Sequence, residues 1–396
     1  MDTFDKLALL SDDSKYDLAC SCPANANDHR KKQKDGSWLY PVQLASGGTG
    51  ILFKTLMSNA CSSDCKYCPL RHGGNARRCS LTPDETAEAF MAHNRKKWLL
   101  GTFLSSGITG TPDRAMQQLT DTAAILRHKH NYRGYIHLKI LPGASDAAVR
   151  YAMSLSSAVS LNIEVPGAKY FSELSQYKRF DEDIIRPVKL ISELSRRGAD
   201  YSRVKCSTQF VVGAASEPDS DIVRYMGGIY DRLKFDRIYF SAYQQPKTAE
   251  EEPAGVRISN DDFTLSSESD NIFQPSAFSL QPSPQHARAM REHRLYQTDF
   301  LLRRYKFKPG EIMFNPGGNL SLEADPKRVW ADAHPEFYPI HVNRADRGEL
   351  LRIPGIGPVQ AERILKTRAN SRLREFADIG FKGRNAAKAA AYATFG

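Results

Sequence analysis

Between residues 48 and 243, short apolar runs alternate six times with helical stretches. Ile51–Met57, Trp98–Ser105, Tyr135–Leu141, Val159–Val165, Cys206–Val212 and Arg237–Ala242 have the length and apolar character of buried strands. Helical spacing fills the gaps at 113–130, 146–155, 181–197 and 219–233. The first helix has Thr82 as N-cap, Pro83 at its first position and Glu85 three residues on, a capping box. Repeated βα units make a parallel sheet, because right-handed crossovers return each strand beside the last. A barrel-like sheet and a doubly wound sheet both satisfy this pattern. In either, ligands sit at the carboxyl ends of the strands.

The rest of the chain divides by composition. Residues 1–45 read as a polar, irregular N-terminal extension, with a basic run His29-Arg-Lys-Lys-Gln-Lys on a solvated loop. The barrel or sheet region spans 46–243. Residues 244–285 carry seven acids against Lys247 and Arg257, a net of −5, and are rich in Ser and Pro. That composition reads as a long loop or disordered insertion. A barrel-associated helical connecting region covers 286–339, and a small separate unit covers 340–396. No run of ~18 apolar residues exists, so no membrane-spanning helix is expected. The acidic N-terminus does not read as an export signal. The chain carries seven cysteines (Cys20, Cys22, Cys61, Cys65, Cys68, Cys79, Cys206). An odd count in a long chain points to reduced thiols and a cytoplasmic protein, where clustering means metal or catalysis.

Three cysteines cluster as Cys61-Ser-Ser-Asp-Cys65-Lys-Tyr-Cys68, directly after the first strand. Three thiolates can hold three corners of a [4Fe–4S] cubane and leave one iron open for chemistry. A structural zinc site with His72 or Cys79 as fourth ligand is the competing reading. A zinc knuckle is usually a self-contained module, whereas this loop joins strand and helix of a large α/β domain. Cys20 and Cys22 read as free thiols, Cys206 as a small core residue, and Tyr243 as a strand-end aromatic.

The CxxxCxxC spacing, with Tyr67 before the last cysteine, resembles the radical S-adenosylmethionine superfamily. That resemblance implies a partial (β/α)6 TIM-like barrel. It implies a [4Fe–4S] cluster on Cys61, Cys65 and Cys68, and S-adenosylmethionine as cofactor. One electron then cleaves the sulfonium to a 5′-deoxyadenosyl radical, which abstracts hydrogen. An electron donor such as flavodoxin or ferredoxin is implied as partner. Segments such as Phe103-Leu-Ser-Ser-Gly, Leu161-Asn-Ile-Glu-Val-Pro and Arg291-Glu-His-Arg-Leu-Tyr-Gln-Thr-Asp resemble bacterial radical S-adenosylmethionine proteins described as DNA modification or repair proteins. By that resemblance, Tyr67, Ser105, Ser106, Gly107, Lys139, Asn162, Glu164 and Gln209 contact S-adenosylmethionine. Ser105-Ser106-Gly107 stands where the superfamily usually has Gly-Gly-Glu, so the glutamate is missing. A buried Lys139–Glu164 ion pair is the alternative role for those two residues. No catalytic residue is assigned.

The second motif is Leu351-Arg-Ile-Pro-Gly-Ile-Gly-Pro-Val-Gln-Ala-Glu-Arg-Ile-Leu365. Asn343 can cap a helix ending near Ile353, Pro354–Gly357 a tight turn, and 358–367 a second helix. The glycines permit positive φ and close backbone approach. The motif resembles the helix-hairpin-helix, a sequence-independent binder of DNA backbone, making 340–396 a small all-α domain. Gly355, Gly357, Arg363, Lys366 and Arg368 are the candidate nucleic-acid contacts. The chain's net charge is +10, and residues 340–396 hold eleven Lys/Arg against five acids, a net of +6. Such a patch suits phosphate. The expectation is a radical enzyme acting on DNA in modification or repair. An RNA-modifying enzyme of the same chemistry, and a zinc-containing nucleic-acid binder without activity, are the alternatives; internal packing of the hairpin is the alternative to docking.

Overall fold

The computed structural model describes residues 1–17, 30–34, 36–43, 48–244 and 284–396. Cys20, Cys22 and the acidic residues from Glu250 to Asp270 lie outside the described residues. Contacts divide the chain into two units. The first holds residues 1–217 and resumes at Gly228; the second holds 218–227 and the described residues from Pro284 onward.

The first unit is built on one sheet. Its strands are β1 (Lys31–Lys32), β2 (Trp38–Gln43), β3 (Thr49–Leu56), β4 (Gly101–Ser105), β5 (Tyr135–Lys139), β6 (Ala158–Ser160), β7 (Lys205–Val212) and β8 (Arg237–Ala242). They lie side by side in chain order. β1, β2 and β3 pair antiparallel. β3 through β8 are all parallel. Among the described residues β8 does not pair back to β3, so six parallel strands form an open, partial barrel. The helices are α1 (Thr3–Asp13), α2 (Pro83–Lys96), α3 (Pro112–Ala124), α4 (Asp146–Leu155), α5 (Ala168–Leu174) and α6 (Arg186–Ser195). Phe53, Phe90, Leu104, Leu138, Val159, Phe210 and Phe240 are buried in its core.

Local chemistry explains most boundaries. The capping box of α2 forms as its spacing predicts: Glu85 N–H donates to Thr82 Oγ1 at 3.2 Å, and Thr82 N–H to Glu85 Oε2 at 2.8 Å. Thr111 and Ser145 cap α3 and α4 by accepting from the N–H groups of Arg114 and Ala148. Three of the expected long helices carry a wider π turn at one end, at Ile125–Lys129, Phe180–Ile185 and Ile229–Leu233.

Three expectations do not hold. Residues 1–45 are not an irregular extension, because α1 packs on β3 and β2 pairs with it. The basic run is not wholly solvated either. Arg30 is buried, its guanidinium 4.3 Å from the Trp38 ring centroid and paired with Asp12 at 3.4 Å. The fourth parallel strand, β6, stops at Ser160 rather than Val165. Glu164 adopts φ +69°, a left-handed conformation that breaks the strand, and rejoins the sheet only through an isolated bridge to Phe210.

The second unit contains α7 (Asp219–Gly228), α8 (Pro284–Arg304), α9 (Pro326–Ala333), α10 (Arg347–Arg352), α11 (Pro358–Arg368) and α12 (Arg384–Ala390). The region expected as all-α also holds a parallel strand pair, β9 (Ile340–His341) with β10 (Ala393–Thr394). Its N-cap differs from expectation. Asp346, not Asn343, caps α10 in a capping box with Glu349, while Asn343 bonds Leu373 and the Phe395 carbonyl. A buried carboxylate ties the unit together. Asp219 is fully buried and accepts from Arg291 Nε at 3.0 Å, Arg291 Nη2 at 2.9 Å and Leu320 N–H at 2.9 Å. Removing one partner of such a pair costs about 3–5 kcal/mol. The Arg291 motif therefore serves the fold of this unit.

Lys327 is buried, donates to the Ile356 carbonyl at 2.6 Å and lies 4.7 Å from the Tyr305 ring centroid. Burial pulls its pKa down from 10.5 to about 7; Asp325 opposes this, while Lys388 and Arg352 assist. The unfolded chain then holds a proton that the folded chain lacks across that window, so stability rises as pH climbs from about 7 toward 10.5. Amide-exchange protection of α11, measured at pH 7 and pH 8.5, is expected to increase in the wild type. Lys327→Met is expected to flatten that increase; an equal increase in both would contradict it.

Candidate functional site

The cysteine loop leaves the carboxyl end of β3 and is held from two sides. On one side, Ser62 N–H donates to the Ile108 carbonyl and Gly107 N–H to the Ser58 carbonyl, at 2.8 and 2.7 Å. Gly107 has to be glycine: a Cβ there would overlap the Ala60 carbonyl oxygen and stand 3.2 Å from Cys61 Cβ. On the other side, Lys66 N–H donates to the Leu174 carbonyl at 2.9 Å. The Asp64 carboxylate accepts from the Ser175 hydroxyl and from Gln176 N–H, the latter at 2.7 Å.

These contacts present three sulfurs in different surroundings. Cys61 Sγ accepts from Ile108 N–H at 3.4 Å and Ser63 N–H at 3.5 Å. Cys65 is buried, and its Sγ accepts from Lys178 Nζ at 3.0 Å. Burial pushes the Cys65 thiol pKa up, against the pull of Lys178. Burial, aided by the charges of Cys65 and Cys61, pushes Cys68 up to about 12. Burial disfavours the Lys178 cation, yet the Cys65 sulfur and Glu164 outweigh it and raise its pKa. The thiols thus feel one another's charge. Among the described residues, no group of three or more His, Cys, Asp or Glu side chains is placed to hold a single metal ion.

Among the described residues, neither candidate fourth ligand of the zinc alternative forms a metal-holding group with the three cysteines. His72 is exposed. Cys79 is turned toward the Lys6 carbonyl at 3.9 Å and is charge-coupled to Asp13 and Lys6, not to the other thiols. Three cysteines on one loop, with amide and ammonium donors aimed at two of the sulfurs and a glycine cradle behind Cys61, suit a polynuclear cluster of separated ligand corners.

The expected cofactor contacts are partly brought together. Tyr67 Oη donates to Glu164 Oε1 at 2.7 Å, and Asn162 Nδ2 to Glu164 Oε2 at 3.4 Å. Burial and the Glu164 charge push the Tyr67 pKa well above 10, so the phenol remains a donor. Backbone strain concentrates at this glutamate, whose φ is +69°. Its N–H donates to the Gln209 carbonyl at 3.0 Å. Ser105 is buried at the end of β4, and the Ser106 hydroxyl turns to the Gly107 carbonyl. Lys139 is buried at the carboxyl end of β5, and Gln209 is buried within β7. A cleft of about 320 Å³ opens beside the loop, lined by Ser62, Ser63, Ile108, Tyr177, Lys178 and Arg179 among others. Lys178 was not among the expected site residues. It stands 113 positions from Cys65, and only the fold joins them. Cys206 is a buried core residue whose burial raises its thiol pKa to about 11.

The hairpin of the second unit is packed more tightly than its sequence suggests. Gly355 adopts φ +88°, and a Cβ there would overlap the Asn385 carbonyl ahead of α12 residue Ala389. Gly357 has φ −102° and does not use glycine's freedom. Arg368 donates to the Val342 carbonyl at 2.7 Å and Lys388 pairs with Asp325 at 2.7 Å, so both serve the fold. Arg363 and Lys366 are exposed on α11.

No family model matches the chain, and no curated protein matches it. Several solved structures do. The FeFe-hydrogenase maturase HydG from Carboxydothermus hydrogenoformans is 15% identical, with 49% of this chain and 44% of that chain covered, at a TM-score of 0.41. Methylornithine synthase (PylB) is 14% identical over 49% of this chain and 53% of that one, at 0.40. The radical S-adenosylmethionine methyltransferase TsrM from Kitasatospora setae, with tryptophan and a cofactor analogue bound, is 15% identical over 48% and 35%, at 0.37. The chain thus spans about half or less of the length of these proteins. At such scores the function rests on the residues of the site.

Gly107→Ala is expected to displace the loop at Cys61, at a local cost of about 1–3 kcal/mol. Iron content after anaerobic reconstitution should fall severalfold while the circular dichroism spectrum is retained. Wild-type iron content would contradict the cradle.

Proposed function

We propose that this chain is a radical S-adenosylmethionine enzyme that acts on nucleic acid. The observation carrying the first half is the cysteine loop itself. It stands at the carboxyl end of β3, beside a cleft and beside the strained, hydrogen-bonded Tyr67–Glu164–Asn162 group. In this reading Cys61, Cys65 and Cys68 hold a [4Fe–4S] cluster. When bound, that cluster with S-adenosylmethionine supplies a one-electron cleavage of the sulfonium and a hydrogen-abstracting radical. The residues of the chain do the positioning. Gly107 and Ile108 fix Cys61, and Asp64 fixes the segment carrying Lys178. Tyr67 orients the Glu164 carboxylate, which can accept from the hydroxyl or amino groups of the cofactor. Ser105 and Lys139 add buried polar groups at the ends of β4 and β5, and Gln209 adds one within β7. A one-electron reductant such as a flavodoxin or ferredoxin is required by the chemistry. Among the described residues no helix is long and apolar enough to cross a membrane.

The second half, nucleic acid and DNA before RNA, is carried by the basic unit at 340–396 with its net of +6. Among its exposed cations are Arg363 and Lys366 on α11, with Arg347 on α10 and Arg384 at the start of α12. Phosphate contacts carry no sugar identity, so an RNA substrate uses the same surface. A base target must leave the stack to reach a buried site.

Two results test this reading. Anaerobic, reduced wild-type protein should convert S-adenosylmethionine to 5′-deoxyadenosine, and Cys65→Ala should lose at least a hundredfold of that rate; cleavage surviving in Cys65→Ala contradicts it. Replacing Arg363 and Lys366 together by Glu should weaken duplex DNA binding about tenfold or more and flatten its salt dependence. Unchanged binding would remove α11 from the interface.

A further inference from the structure

Lys178 reaches the cysteine loop from a distant part of the chain, and its placement is highly constrained. The chain after α5 is strapped to the loop on both sides of Cys65. Lys66 N–H holds the Leu174 carbonyl, and Asp64 holds the Ser175 hydroxyl and Gln176 N–H. Lys178 N–H in turn donates to Ser175 Oγ at 3.2 Å. Its ammonium ends 3.0 Å from Cys65 Sγ. Cys61 receives neutral amide N–H groups instead, from Ser63 and Ile108. One ligand sulfur therefore takes a full positive charge.

Resting on the reading that these cysteines hold a [4Fe–4S] cluster, we propose that Lys178 is a positioning residue that raises the cluster's reduction potential through the Cys65 sulfur. Hydrogen bonds to ligand sulfurs and nearby charge are the protein's main controls on such potentials. Reduction adds one electron to the cluster and the bonds it shares with the thiolates. A cation on one sulfur stabilises the added charge more than the oxidised state. The same strap that anchors the loop would then set how readily the external reductant loads the site. Lys178 also feels the charge of Glu164, a residue assigned above to the cofactor, so a direct contact with the carboxylate of S-adenosylmethionine is the competing role.

The test is an electron-paramagnetic-resonance redox titration of the reconstituted full chain, mediated and reduced by dithionite, without S-adenosylmethionine. Lys178→Met should shift the midpoint to more negative potential at wild-type iron and sulfide content. Lys178→Arg should restore most of the shift, and Lys178→Gln, which keeps an N–H donor without charge, should fall between. A Lys178→Met cluster that titrates at the wild-type midpoint overturns the proposal. So does a changed affinity for S-adenosylmethionine with an unchanged midpoint, which assigns Lys178 to the cofactor. If Lys178→Met fails to hold its cluster, the Gln and Arg variants decide: a more negative midpoint for Gln supports the proposal, and equal midpoints overturn it. A wild-type chain that carries no iron–sulfur cluster overturns the reading beneath it, and this inference with it.

Discussion

Hydrogen bonds from two segments, one at a strand end and one at a helix end, hold the cysteine loop in place. Residues 107–108, after β4, bond it at Ser58 and Ser62. Residues 174–176, after α5, bond it at Asp64 and Lys66. A loop carrying three cysteines has no regular structure to fix its sulfurs, so its geometry is borrowed from the sheet beneath. Parallel strands make that possible, because every one of them ends on the same edge. The glycine at 107 sets how closely the first segment approaches, and the Asp64 carboxylate sets where the second one turns. Lys178 and Glu164 reach the loop from this second side, one by ammonium to sulfur and the other by carboxylate to Tyr67.

The second unit follows a different logic. Its hairpin is closed inward. Gly355 lies against the start of α12, and the Ile356 carbonyl is taken by the buried Lys327. Internal packing of the hairpin, raised by its sequence as an alternative to docking, is therefore present. Packing does not preclude the proposed docking: the turn is locked from within, and α11 presents Arg363 and Lys366 outward. The rigid turn orients the exposed helix; the helix carries the charge.

The sequence made the parallel sheet legible, because apolar runs and caps are local signals. Thr82 and Glu85 close their capping box as the spacing requires, and α4 spans the expected residues. What was not legible depends on distant partners. The Arg30 run looks solvated until Trp38 and Tyr40 stack on it. Asn343 looks like a cap, but the chain end at Phe395 and Leu373 claim it. Arg368 looks like a phosphate contact until the Val342 carbonyl engages it. In the site, the three cysteines were evident from spacing. Lys178 was not, because nothing local distinguishes it from the neighbouring Arg179. Glu164 was placed on a strand by its apolar neighbours; its left-handed φ arises from bonding Tyr67 and the Gln209 carbonyl at once.

The central claim is that Cys61, Cys65 and Cys68 hold a cluster whose open iron binds S-adenosylmethionine. Metal and sulfide analysis after anaerobic reconstitution, with low-temperature electron paramagnetic resonance before and after adding the cofactor, tests it most directly. The account predicts about four irons and four sulfides per chain, and a reduced-cluster signal that S-adenosylmethionine perturbs. A colourless, zinc-loaded chain, or a cluster signal indifferent to the cofactor, would contradict it.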